Sequence, residues 1–207
     1  MILSLASERG ADVVRAALPP APPEPRFPGA HQRANLATVL TVLDTLVSRG
    51  VSISLQARSL GLERARWPGR FEPCPAEPRL WWDGAHNVDG VRALVQTWRE
   101  THRDPPGAVV LALSRDKDAG TIVRVLADAW PQVHCVMTRS RSERALAPAD
   151  LARLAREAAL AAETADTVAE ALRRALSGTA GRVLLTGSLF AVGEAMEALG
   201  GAPGESQ

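Results

Sequence analysis

The sequence predicts an α/β fold of the Rossmann-like kind, a mostly parallel sheet with helices on both faces, preceded by a short helical segment. Three observations predict it. From Trp67 onward, short apolar runs alternate with amphipathic stretches, the pattern of a parallel sheet with helical crossovers. The apolar runs end in polar loops, several of them glycine-bearing, and a proline-rich break from Pro19 to Pro28 interrupts the chain near its start.

That break, Pro19 to Pro28, lacks amide donors and fixes φ at its prolines, so it forbids a helix or a central strand and reads as a linker or extended loop. After it, Leu36, Val39, Leu40, Leu43, Leu46 and Val47 recur at helical spacing, and Gly50 stops the pattern; a helix is expected over 31–49. A shorter helix is expected from Ser54 to Leu60, closed by Gly61. Strands are expected at Leu80–Asp83, Ala108–Ser114, Val133–Thr138 and Arg182–Thr186. Helices are expected near 88–100, 119–129, 148–160, 167–177 and 189–199. The first of these carries Val88, Val91, Leu94, Val95 and Trp98 on one stripe. The alanine-rich stretch from Ala145 to Ala175 favours helix.

With 207 residues and 46% hydrophobic content, the chain can bury one good core with a second small unit beside it. Its 24 basic and 23 acidic residues nearly cancel, which excludes an electrostatic footprint for nucleic acid or an anionic membrane. Small molecules or protein are the expected partners. Cys74 and Cys135 stand far apart without companions, which argues against a disulfide framework and a zinc site. The apolar start, Met1 to Ala6, is followed at once by Glu8, Arg9 and Asp12, so no signal core or membrane span can be drawn, and a cytoplasmic protein is expected.

In open parallel sheets, ligands bind beyond the carboxyl ends of the strands. The first strand runs out into Asp83-Gly84-Ala85-His86-Asn87, the second into Ser114-Arg115-Asp116-Lys117-Asp118, the third into Thr138-Arg139-Ser140 and the last into Thr186-Gly187-Ser188. Such loops are polar in any case, because they hold turns and helix caps. The first loop stands apart by combining a carboxylate, an imidazole and an amide. Asp83 suits a ribose diol, since it presents acceptors only, or else it caps a helix. His86, a titratable imidazole, is the candidate catalytic residue, with a local hydrogen-bonding role as the alternative. Ser188, at an expected helix start, offers a hydroxyl and free amides to a carboxylate.

Trp67-Pro68-Gly69-Arg70-Phe71-Glu72 followed by Trp82-Asp83-Gly84-Ala85-His86-Asn87 resembles the paired "PGR" and "DGAHN" motifs of the folylpolyglutamate and dihydrofolate synthases, members of the Mur ligase superfamily. Gly29-Ala30-His31-Gln32-Arg33-Ala34-Asn35 resembles the family's G-x-H-Q-x-x-N element, and Asp116-Lys117-Asp118 and Leu185 to Phe190 resemble two later signatures, all in the family's order. Other Mur-type ligases usually carry a different residue where Gly84 stands. Val88 departs from the pattern, which has proline there; valine forgoes only the preset first helical turn.

The resemblance implies that Asn35, Arg70 and Asp83 contact ATP and that His86 lies beside the nucleotide. An amide can read the adenine edge, and a guanidinium can grip phosphate oxygens, unless Arg70 instead pairs with Glu72. Lys117 either approaches a phosphate or stays solvated. It further implies an ATP-dependent ligase of folate biosynthesis that adds L-glutamate to dihydropteroate or a reduced folate through an acyl phosphate. Residues 1–66 would then be the last part of the central ATPase domain, 67–201 the Mur ligase C-terminal domain, and 202–207 a disordered tail. No G-x-x-x-x-G-K-[ST] segment occurs in the sequence. The phosphate loop and the Mg2+ ligands are therefore expected on a separate N-terminal half, no metal site is expected here, and helix 31–49 is expected to expose an apolar face. The alternatives are a non-catalytic nucleotide-binding module, an inactive truncated remnant, or a fragment of another Mur-type amino-acid ligase.

Overall fold

The computed structural model describes residues 2–200, so the tail expected over 202–207 lies outside the described residues. The chain divides into two compact units between Arg66 and Trp67.

The first unit holds α1 (Ile2–Glu8), α2 (Ala30–Ser48) and α3 (Leu55–Arg64). The proline run between α1 and α2 forms neither helix nor strand. After α2, Gly50 N donates to Val47 O and Val51 N to Leu46 O, a pairing that satisfies the helix's last carbonyls. α2 buries only Leu36 and Ala37, while Val39, Val42, Leu46 and Val47 are 39–50% exposed, so the apolar face expected on this helix is open. α3 starts on Ser54, whose hydroxyl accepts from Ala57 N, and it runs through Gly61 to Arg64 instead of stopping there. A mid-helix glycine costs only about 1 kcal/mol, and Leu62, Glu63 and Arg64 extend the helix past it.

The second unit is a six-stranded sheet in the order β1-β2-β6-β3-β4-β5. Its strands are β1 (Glu72–Pro73), β2 (Leu80–Asp83), β3 (Ala108–Ala112), β4 (His134–Thr138), β5 (Ala162–Thr164) and β6 (Val183–Thr186). Only β1 is antiparallel, pairing with β2 at the edge; β2, β6, β3, β4 and β5 run parallel. The helices are α4 (Val88–Thr101), α5 (Ala119–Ala129), α6 (Pro148–Glu157), α7 (Val168–Gly178) and α8 (Leu189–Ala198). α4, α5 and α6 cover one face through Val91, Leu94, Ile122, Leu126 and Leu151. α7 and α8 cover the other through Leu172, Ala175, Val192 and Ala195. β3 and β6 are buried along their whole length, as strands covered on both faces must be.

Several boundaries differ from expectation. β3 ends at Ala112, and Ser114 makes only an isolated bridge to Ala145. β4 starts at His134 and β6 at Val183, one residue later than expected. α6 ends at Glu157, three residues early, because Ala159 turns into the left-handed region at φ 59. β1 and β5 were not expected: one is two residues long and contains proline, the other is three residues inside an alanine-rich stretch.

The α4 face of the sheet ends in an aromatic cluster. The His102 ring lies 4.5 Å from Trp81 and 4.5 Å from Trp98, and Phe71 packs on Trp81 at 5.1 Å. His102 is 8% exposed and its Nε2 has no hydrogen-bond partner among the described residues. Burial, reinforced by the Arg182 charge, holds the imidazole below its ordinary value of 6.5. The folded chain therefore keeps His102 neutral while the unfolded chain protonates it, so stability is full above pH 6.5 and falls as pH drops from there through the folded-state value. Urea midpoints at neutral and mildly acidic pH should show a smaller loss for His102→Phe than for the natural chain; parallel losses would place the pH dependence elsewhere.

Candidate functional site

At the carboxyl ends of β2 and β6, Asp83 and Thr186 are register partners, and three loops meet beyond them. The Asp83 carboxylate joins two of them: Oδ2 accepts from Phe71 N at 3.0 Å and Oδ1 from Ala85 N at 2.7 Å. Gly84 N donates to Gly69 O at 2.8 Å, a second tie between the same loops. Gly187 N donates to Ala85 O at 3.0 Å, which brings in the loop after β6. The Glu72 carboxylate closes the first loop, with Oε1 accepting from Gly69 N at 2.8 Å and Trp82 Nε1 at 3.1 Å.

This stitching decides where each candidate residue stands. Asp83 is half-buried at the strand end and caps no helix; Asn87 does that, with Oδ1 accepting from Gly90 N at 2.7 Å at the start of α4. Each Asp83 oxygen can accept more than one hydrogen bond. His86 Nδ1 lies 2.8 Å from Gly84 O, and because a carbonyl only accepts, Nδ1 carries the proton. Nε2 is then the acceptor nitrogen of the neutral ring. The Arg70 guanidinium lies over the Trp67 ring, 5.4 Å from its centroid, rather than on Glu72. Ser188 caps α8, accepting from Ala191 N at 3.3 Å, and is only 5% exposed. In the separate first unit, Asn35 is exposed on the first turns of α2 and donates to Gln32 Oε1 at 2.9 Å.

Further along the same sheet edge, Lys117 pairs with Asp116 at 2.8 Å, and this contact holds the Asp116 carboxyl below its usual range. Among the described residues no group of three or more His, Cys, Asp or Glu is placed to hold a metal ion. Cys135 lies inside β4, where burial pushes its thiol up to about 12 and keeps it un-ionised.

The family described as "Mur ligase, glutamate ligase domain" matches residues 69–189, more than half of the chain and all three of these loops. The chain belongs to this family. In sequence, the chain is 32% identical over 107 residues to the dihydrofolate synthase/folylpolyglutamate synthase of Bacillus subtilis, covering 51% of this chain and 25% of that protein. It is 34% identical over 172 residues to a probable bifunctional folylpolyglutamate synthase/dihydropteroate synthase of Haloferax volcanii, covering 81% of this chain and 20% of that protein. In structure, it matches the bifunctional folylpolyglutamate synthase/dihydrofolate synthase of Yersinia pestis, complexed with AMPPNP and Mn ion, with a TM-score of 0.72 at 25% identity over 96% of this chain and 50% of that one. The chain thus spans between a fifth and a half of these relatives' lengths.

Sequence reasoning missed two residues that shape the Mur ligase loops. Phe71 sits at φ 43, a left-handed conformation rarely taken by aromatic residues. Leu189, the first residue of α8, packs so closely on Gly84 that a Cβ there would lie 2.2 Å from Leu189 Cδ2. Gly187 is tighter still, because it combines φ 98 with a position where a Cβ would meet the Ala112 carbonyl oxygen at 2.2 Å. Denaturant titration should therefore show Gly187→Ala losing about 3 kcal/mol or more, since backbone cannot yield. Gly84→Ala should lose roughly 1 kcal/mol, since the half-exposed Leu189 side chain can swing away. The reverse order would mean that Leu189 is fixed.

Proposed function

We propose that this chain is the C-terminal, glutamate-ligase portion of an ATP-dependent enzyme that joins L-glutamate to dihydropteroate or a reduced folate. The observation that carries this reading is the joining of Gly69-Arg70-Phe71, Asp83 to Asn87 and Gly187-Ser188 at the ends of two adjacent parallel strands. The names of the relatives and the AMPPNP in the Yersinia pestis structure point the same way.

In the reaction, a carboxylate oxygen of the pteroate or folate attacks the γ-phosphorus of ATP, releasing ADP and forming an acyl phosphate. The glutamate amine then attacks the acyl carbon, phosphate departs and the amine proton passes to a base. In this reading Asp83 accepts the ribose hydroxyls, Arg70 grips phosphate oxygens, and Asn35 reads the adenine edge. His86 Nε2, turned into an acceptor by the Nδ1 contact to Gly84, takes up a proton or a nucleotide hydrogen bond. Ser188 and the first amides of α8 receive a carboxylate of glutamate. The phosphate loop and the residues that hold Mg2+ belong, in this reading, to an N-terminal half outside these 207 residues. A second reading is a nucleotide-binding module without catalysis, in which the same strand-end loops hold a nucleotide and no glutamate is joined.

Labelled glutamate incorporation separates the two. The chain alone should be silent, and the chain mixed with the N-terminal half of a complete relative should be active on dihydropteroate or tetrahydrofolate. Silence of the mixture, with both parts folded, would leave the binding-module reading. Within an active mixture, Arg70→Ala should weaken ATP binding by about tenfold at unchanged thermal midpoint, since its guanidinium holds no backbone. Asp83→Ala should lose both ATP binding and stability.

A further inference from the structure

The second unit opens on Trp67-Pro68-Gly69-Arg70, and this segment brings a guanidinium onto an indole. Pro68 and Gly69 form a turn in which Gly69 sits at φ 76. That is the chemistry of a type II turn, where proline presets φ at the first central position and glycine takes the positive φ of the second. Trp67 and Arg70 are the first and fourth residues of the turn, which draws their backbones together. The Arg70 guanidinium lies over the Trp67 ring, 5.4 Å from its centroid, within the reach of about 6 Å over which an aromatic face attracts a cation.

The backbone on either side of Arg70 is anchored. Gly69 N donates to Glu72 Oε1, Gly69 O accepts from Gly84 N, and Phe71 N donates to Asp83 Oδ2. A Cβ on Gly69 would lie 3.1 Å from Val192 Cγ1, so the turn is seated on α8. Glu72, the acid two residues on, already engages Gly69 N and Trp82 Nε1. The loop therefore fixes where Arg70 leaves the chain, yet an arginine on a fixed backbone keeps its rotamer freedom, and a ligand that orders it must meet that entropy. Trp67 is 61% exposed, so burial gives the core little reason to hold an indole there. What the turn builds for that ring is the contact with Arg70.

We propose that Trp67 is a positioning residue for Arg70: its ring orders the guanidinium before the nucleotide arrives, so that ATP phosphate meets an arginine already in place. An aromatic face attracts the charge without engaging the planar N–H fork as a carboxylate would, which leaves those donors to phosphate oxygens. An acid at position 67 would instead compete with the phosphate for the same donors. This role rests on Arg70 contacting phosphate, as proposed above.

The test is an NMR titration of the full chain with ATP, following the Arg70 Nε–H and the backbone amides of Gly69 and Phe71. Trp67→Leu should leave the thermal midpoint unchanged, because the ring stands mostly in solvent, and should weaken ATP roughly two- to fivefold, the range of an exposed cation–π contact. Trp67→Phe keeps an aromatic face and should recover most of that affinity. Without ATP, relaxation of the Arg70 Nε–H should show a more mobile side chain in Trp67→Leu than in the natural chain. In a chain that already carries Arg70→Ala, Trp67→Leu should change nothing further, since the contact is gone. Trp67 has no such role if Arg70→Ala weakens ATP and Trp67→Leu does not, if Trp67→Phe binds no better than Trp67→Leu, or if Trp67→Leu weakens ATP equally with Arg70 removed; the phosphate contact of Arg70 then still stands. ATP that never saturates, or that binds Arg70→Ala as it binds the natural chain, overturns that contact and the role of Trp67 with it.

Discussion

The Asp83 carboxylate is the contact on which the strand-end loops depend. It accepts two backbone amides, one from Phe71 and one from Ala85, and so fixes the loop before β1 against the loop after β2. Hydrogen bonds to a charged acceptor contribute about 1.5–3 kcal/mol each, whereas a left-handed aromatic residue costs on the order of 1–3 kcal/mol. Two such bonds outweigh one such strain. Burial of the Phe71 ring against Trp81 and Trp98 adds to the balance, so φ 43 at Phe71 is held from both its amide and its side chain. The "PGR" and "DGAHN" segments are therefore one structural unit, which gives their pairing in the sequence a physical reason.

The two units of the chain rest on different physics. The second has a continuous core on both faces of its sheet. The first buries two side chains of α2 and none of α3, and its ion pairs, such as Arg33 with Glu24 and Arg49 with Asp12, are exposed. Exposed pairs contribute at most about 1 kcal/mol each, while burying one valine or leucine fully contributes about 1.5–3 kcal/mol. The open valines and leucine of α2 thus represent more stabilisation withheld than the ion pairs return. Local opening of the first unit should lie at the low end of the chain's stability range.

Much of this was legible in the sequence. The core strands β3, β4 and β6 were readable because strands buried on both faces leave unbroken apolar runs bounded by polar loops. β1 and β5 were not, since two or three residues carry no period, and the end of α6 was hidden because Ala159 turns left-handed without a glycine to announce it. The position of Asp83, His86, Asn87 and Ser188 at the ends of β2 and β6 was legible from the apolar runs that precede them. The double anchoring by Asp83 was not, because it depends on the backbone direction at Phe71.

The same hydrogen-bond chain that shapes the loops also sets the chemistry they can offer. Gly69 O holds Gly84 N, which fixes the plane of the Gly84 peptide group and its neighbour, and Gly84 O in turn takes the Nδ1 proton of His86. The acceptor nitrogen of that ring is therefore assigned by the backbone of its own loop, held in turn by the loop before β1. Leu189 packs over Gly84 and shields this arrangement on the α8 side. A change at Gly69 or Leu189, neither of which has a reactive atom, would act on His86 through ring orientation and tautomer, so chemistry at this edge is inseparable from the packing of α8 on the loop after β2.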